Sequence, residues 1–215
     1  MPLEAWKRSN QKKRRGRIKS WIVIASISLV AFFGALPVRA GAPLKTVESH
    51  VHKVLEVLKD LSLQGKGGKK AKKDKLWSIA DAMFDYVELS RRTLGRHWEE
   101  LSCAQQKEFA RLFSRHLGNV YMDRILTYQD ERIIFYRESM VAKQRAEVRS
   151  RVVSESKEIP VHYRMVVKDG TWKVYDVVVE GVSLVRNYRS QFNKILQTKS
   201  PEALLEILRK KLEES

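Results

Sequence analysis

The sequence predicts an α+β domain, with helices at both ends of the chain packed on an antiparallel sheet. Three observations carry this. Apolar residues recur at helical spacing from Val47 to about Tyr128. The period then changes to two, and Asp169-Gly170 marks a tight hairpin between two long alternating segments. Helical spacing returns from Leu184 to Leu212. Helices, then consecutive strands, then helices describe segregated rather than alternating elements.

The 215 residues are 43% hydrophobic and 31% charged, a globular balance that permits a sizeable core. The formal charge of +17 points first to nucleic acid or an anionic membrane. Nearly half of it, however, lies in residues 1–40, where nine Lys or Arg face one Glu, leaving 33 basic and 24 acidic side chains in residues 41–215. Met1–Lys19 is polar and basic, Trp21–Leu36 is an uncharged run of sixteen residues, and Val38-Arg39-Ala40 offers small residues at −3 and −1 of a cleavage site. These are the three parts of an export signal, and the run is short for a membrane span of roughly 20 residues. The expectation is a signal peptide over 1–40, cleaved after Ala40, and one mature domain over 41–215 in the periplasm. Arg14-Arg15 lacks the aromatic residue of a twin-arginine signal, so the general secretory route is favoured. Cys103 has no disulfide partner and is expected to be a small half-buried side chain.

In the mature chain, Val47, Val51, Val54, Leu55, Leu58 and Leu61 mark a first helix. Gln64–Lys75, with three glycines and six lysines, reads as an exposed loop. Leu76–Leu89 reads as a second helix, with Leu76, Ile79, Ala80, Met83, Phe84 and Val87 on one face, and Ser90–Trp98 as a connecting segment. Ser102 and Gln105 have the spacing of a capping box and open a third helix from Ala104 to near Tyr128, with Gly118 inside it as a place for a bend or close packing.

Arg132–Glu138 and Arg145–Ser154 alternate as strands, and Pro160 opens a further one. Counting outward from Asp169-Gly170 pairs Trp172 with Val167, Val174 with Met165, Asp176 with Tyr163 and Val178 with Val161, all on one apolar face. Arg164, Lys168, Lys173, Tyr175 and Val177 fall on the other. Gly181 ends the strand, and Ser183 caps a helix whose apolar side is Leu184, Val185, Tyr188, Phe192 and Ile195. Ser200-Pro201 starts a last helix through Leu204, Leu205, Leu208 and Leu212.

Catalytic constellations are not legible. Gly181-Val182-Ser183 begins like a nucleophile elbow but lacks the second glycine and the βα context. His50 and His52 do not share a helix face, and His97, His116 and His162 lack spaced ligand partners, so no metal or other cofactor is expected. Asp176 is an acid on an apolar face without a base, and a structural hydrogen bond to Tyr163 or a loop amide accounts for it. A binding protein, not an enzyme, is the expectation.

Four blocks resemble the MlaC family, the periplasmic phospholipid-binding components also known as toluene-tolerance proteins: FDYVELSRRTLGRHW, LSCAQQKEFARLFSRHLGNVY, IPVHYRMVVKDGTWKVYDVVVEGVSLVRNYRSQF and EALLEILRKKL. The resemblance implies helices on a curved antiparallel sheet enclosing an apolar cavity for acyl chains. It implies a shuttle between an outer-membrane lipoprotein complex and the substrate-binding ring of an inner-membrane ABC transporter. No nucleic acid partner is expected, because export removes the usual one and no reading motif is present. Tyr121 and Val182 are carried over as cavity residues. Phe84, Leu94, Phe113 and Leu117 from the helices, and Val161, Tyr163, Met165, Val174, Val178, Val185 and Tyr188 from the third block, are added to them. Three other readings are a hopanoid-associated relative, an envelope interaction module with a filled core, and an exported hydrolase.

Overall fold

The computed structural model describes residues 43–214 except 64, 66, 128–130 and 156. The expected export signal therefore lies outside the described residues. No helix among them is long and apolar enough to cross a membrane.

Helix α1 (Pro43–Lys59) buries Val47 and Val51. A short 3-10 turn, Leu61–Leu63, leads to α2 (Gly68–Met83). The lysine-rich segment expected to be a loop is therefore mostly the first turns of α2. Lysine is a good helix former, and these side chains find partners. Lys70 pairs with Asp74 one turn on, Lys75 with Asp60 and Lys73 with Asp123, while Lys72 donates to the carbonyl of Leu58.

The expected second helix breaks after Met83. Phe84 is extended, and Asp85 caps a separate helix α3 (Tyr86–Leu94), its carboxylate accepting from the N–H groups of Val87 and Glu88. The signal was present as an Asp with Glu three residues later, but the continuous apolar period masked it. A 3-10 turn over Gly95–Trp98 follows, so this segment is helical and not merely connecting. Ser102 and Gln105 form the expected capping box of α4 (Cys103–Leu126). Cys103, expected to be half-buried, is exposed at the first turn of this helix.

Gly118 of α4 serves close packing. A Cβ there would lie 1.9 Å from Cη2 of Trp77, whose ring also carries the Arg115 guanidinium at 4.5 Å. Gly118→Ala gains about 1 kcal/mol of helix propensity but must displace the indole. We expect a lower thermal midpoint for this variant, and a higher one would show that Trp77 moves aside freely.

Strands β1 (Arg132–Ala142), β2 (Arg145–Val153), β3 (Glu158–Lys168), β4 (Thr171–Val179) and β5 (Val182–Ser183) form an antiparallel meander in chain order. Asp169 and Gly170 have φ of 48° and 76°, and Glu180 and Gly181 have 49° and 80°. Both turns thus have the left-handed pair that a two-residue hairpin needs. The edge strand β1 carries two register irregularities, between Phe135 and Arg137 and between Met140 and Ala142.

The β3–β4 pairing departs from the alternation read from sequence. Trp172 faces Val167 and Val174 faces Met165, as expected, but a bulge at Tyr175 then sets Asp176 opposite Arg164, Val177 opposite Tyr163 and Val178 opposite His162. One extra residue exchanges the two faces of the remaining strand. Asp176 and Val178 thereby leave the face of Trp172 and Val174, and Val177 joins it.

Two cores result. Under the sheet, Val47, Val51 and Met83 pack with Ala146, Val148, Tyr163, Met165, Trp172 and Val174. Beside β4, α3 and α4 pack with α5 (Leu184–Leu196) and α6 (Pro201–Glu213) around Phe109, Phe113, Tyr188, Phe192 and Leu208. The upstream helices thus do not all cover the sheet, because α3 and α4 turn to the second core. Phe84 packs against both cores. Its link is tied to the outer edge of β4 by a bridge from Phe84 to Val174 and a 2.9 Å bond from the Asp85 N–H to the Val174 carbonyl.

Candidate functional site

The residues expected to surround an acyl chain divide between the cores. Leu94, Phe113, Leu117, Val185 and Tyr188 are buried in the helical core, with Tyr121 packed against them. Tyr163, Met165 and Val174 are buried in the sheet core, with Val161 partly buried beside them. Phe84 joins the two groups. Val178 is buried past the bulge, and Val182 is 61% exposed at the tip of the β4–β5 hairpin, next to its cross-strand partner Val179. The site residues therefore form two apolar walls meeting at Phe84, with an exposed Val179–Val182 pair at one end of β4.

The walls are rich in aromatic contacts. The Phe113 ring lies 5.0 Å from Tyr188 and 5.2 Å from Phe192, both edge-on. Phe135 lies 6.4 Å from Tyr163 across the sheet. Burial, reinforced by the neighbouring Tyr121, pushes the Tyr188 phenol up to about 12. Burial likewise pushes Tyr163 up to about 12, against a hydrogen bond with Ser150 that favours ionisation. Burial, then the charge of Lys211, holds His116 below the usual histidine range. Near neutral pH these groups add no charge to the walls.

Asp176, singled out as an acid on an apolar face, is 1% exposed. It does not meet Tyr163. Its carboxylate accepts from the Ser183 hydroxyl at 2.7 Å, the Val185 N–H at 3.0 Å and Arg164 Nη1 at 3.0 Å. The bulge explains the exchange of partners, since it brings Arg164 opposite. Ser183 also accepts from the Arg186 N–H, so its hydroxyl caps α5 while donating to Asp176.

Sequence reasoning missed a second feature. On the face opposite the sheet core, Arg149, Glu147, Arg164 and Asp176 form a cross-strand ladder, with contacts of 2.8, 3.4 and 3.0 Å. Beside it is a cleft of about 400 Å³ whose walls include Arg92, Arg164, Arg186 and Arg189. Arg186 and Arg189 are one helical turn apart in α5, the only trace of this cleft in the sequence. Arg92 and Arg164 reach it from α3 and β3, which no local pattern brings together.

The model of the family described as MlaC protein matches residues 48–210. The chain belongs to the MlaC family. Among curated proteins, it is 27% identical to toluene tolerance protein ttg2D of Pseudomonas putida over 171 residues, covering 79% of this chain and 80% of that protein. Its fold is similar to that of the phospholipid-binding protein from Ralstonia solanacearum, solved in complex with a phospholipid. That match has a TM-score of 0.70 and 21% identity, and covers 80% of this chain and 98% of the other. The MlaC match spans both apolar walls and the cleft.

Proposed function

We propose that this chain is a periplasmic lipid carrier that moves a phospholipid between an outer-membrane lipoprotein complex and the substrate-binding ring of an inner-membrane ABC transporter. The observation that carries the reading is the similarity of fold to a protein solved with a phospholipid, over nearly all of that protein, within a family match that includes every proposed contact residue. The acyl chains lie between the two apolar walls joined at Phe84, and they enter at the exposed Val179–Val182 pair at the end of β4. Each buried methylene contributes about 0.8 kcal/mol, so a chain of a dozen methylenes offers about 10 kcal/mol before the cost of parting the walls. That suffices for tight retention with no covalent chemistry. Release is driven by the transporter, and the carrier hydrolyses nothing.

Native mass spectrometry of the mature protein, taken from periplasm without detergent, tests this. We expect a mass beginning at Gly41, with one co-purifying diacyl phospholipid. A polycyclic lipid would reassign the cargo to hopanoids, and a lipid-free mass would reject the carrier reading. Val182→Asp places a charge at an exposed position, so folding should be unaffected while lipid occupancy falls several-fold. Unchanged occupancy would remove Val182 from the entrance.

A further inference from the structure

The arginine-lined cleft lies on the side of the sheet away from α1, and its groups differ in how far they are neutralised. Arg164 is committed to the ladder, where it meets both Glu147 and Asp176. Glu147 is also held by Arg149 at 2.8 Å, and these guanidinium partners keep its carboxyl below the usual range against the opposing effect of burial. The two carboxylates of the cleft are thus answered within the ladder. Arg92 stacks over the Tyr175 ring at 4.1 Å and contacts Glu88 at 2.7 Å. Arg189 is held in place by the Arg92 carbonyl, to which its Nε donates at 2.8 Å. Neither Arg186 nor Arg189 is matched by a carboxylate among the described residues.

The N-terminal amides of α5 are not free to supply a site, because Asp176 and Ser183 occupy those of Val185 and Arg186. The excess charge is carried by side chains, at the rim of a recess large enough for a phosphate and its first substituents. Guanidinium groups bind phosphate oxygens through paired, charge-assisted hydrogen bonds. Arg189 and Arg92 are already positioned, so less rotamer freedom is lost on binding. Val185 lines both this cleft and the helical apolar wall, which places an anion held here beside the proposed acyl site.

We infer that this cleft binds a phosphate group, with Arg186 and Arg189 as its principal donors and Arg92 as a third. As the headgroup phosphate of a carried lipid, this assignment rests on the carrier reading. As a site for free phosphate, it does not.

The test titrates the delipidated mature protein with dihexanoyl phosphatidylglycerol, neutral dihexanoylglycerol and inorganic phosphate, following arginine Nε–H signals by NMR. The phosphatidylglycerol is expected to bind at least tenfold more tightly than the neutral lipid. The double variant Arg186→Ala/Arg189→Ala loses that advantage and leaves neutral-lipid affinity and thermal midpoint unchanged. Arg186→Glu, at an exposed position, repeats the loss should the double variant fold poorly. Shifts of the Arg186 and Arg189 signals by inorganic phosphate, with no preference between the two lipids, would establish the phosphate site and make free phosphate its ligand. No response to phosphate or to the charged headgroup would overturn the inference while leaving the carrier reading intact. Failure of both lipids to bind would count against the carrier alone, since the phosphate titration judges the cleft separately.

Discussion

Asp176→Ala is expected to cost about 3–5 kcal/mol, a large part of the stability of a domain this size. The carboxylate is buried and accepts three bonds, from Ser183, Val185 and Arg164. Its removal leaves a buried hydroxyl and a helix-terminal N–H without a partner and takes from Arg164 one of its two carboxylates. An unmet buried donor costs more than a hydrogen bond gains. Urea unfolding followed by circular dichroism measures the loss. A loss below about 1 kcal/mol would mean that water satisfies these donors. The double variant Asp176→Ala/Ser183→Ala should fall short of the sum of the single ones, since removing the hydroxyl removes one of the unmet donors.

Phe113→Ala is expected to cost a similar amount, about 3–5 kcal/mol, by a different route. This side chain is fully buried and meets the rings of Phe109, Tyr188 and Phe192. Truncation loses the transfer energy of the ring and leaves a void that helices α4 and α5 cannot both close. The measurement needs delipidated protein, because a ligand bound only by the folded form adds stability of its own. A cost under 1.5 kcal/mol would show that the helical core collapses readily onto the vacated space.

The fold was legible where its signals are local. Ser102 with Gln105, Ser183, Ser200-Pro201 and Asp169-Gly170 each act within a few residues, and the structure places each as expected. The Tyr175 bulge was not legible, because Trp172, Val174, Asp176 and Val178 alternate without interruption. Only the tertiary demand of α5, which takes Asp176 as a partner for its first turn, exchanges the faces. The helix break at Phe84-Asp85 was hidden in the same way, by an apolar period that runs across it. At the candidate site, individual side chains could be named from family resemblance, but their division between two cores follows from that break and that bulge. The arginine cleft draws on three elements far apart in the chain, and periodicity could not assemble it.

The irregular edge strand has its own consequence. β1 exposes Tyr136, Met140 and Val141 along the side of the sheet that no described strand extends. A flat edge of this composition invites a strand from another molecule and so seeds polymers. The two irregularities put the free amide and carbonyl groups of β1 out of step with those of any straight strand laid beside it. The sheet is therefore self-terminating. A protein crowded among its own copies can keep these apolar side chains in solvent without growing into a fibre.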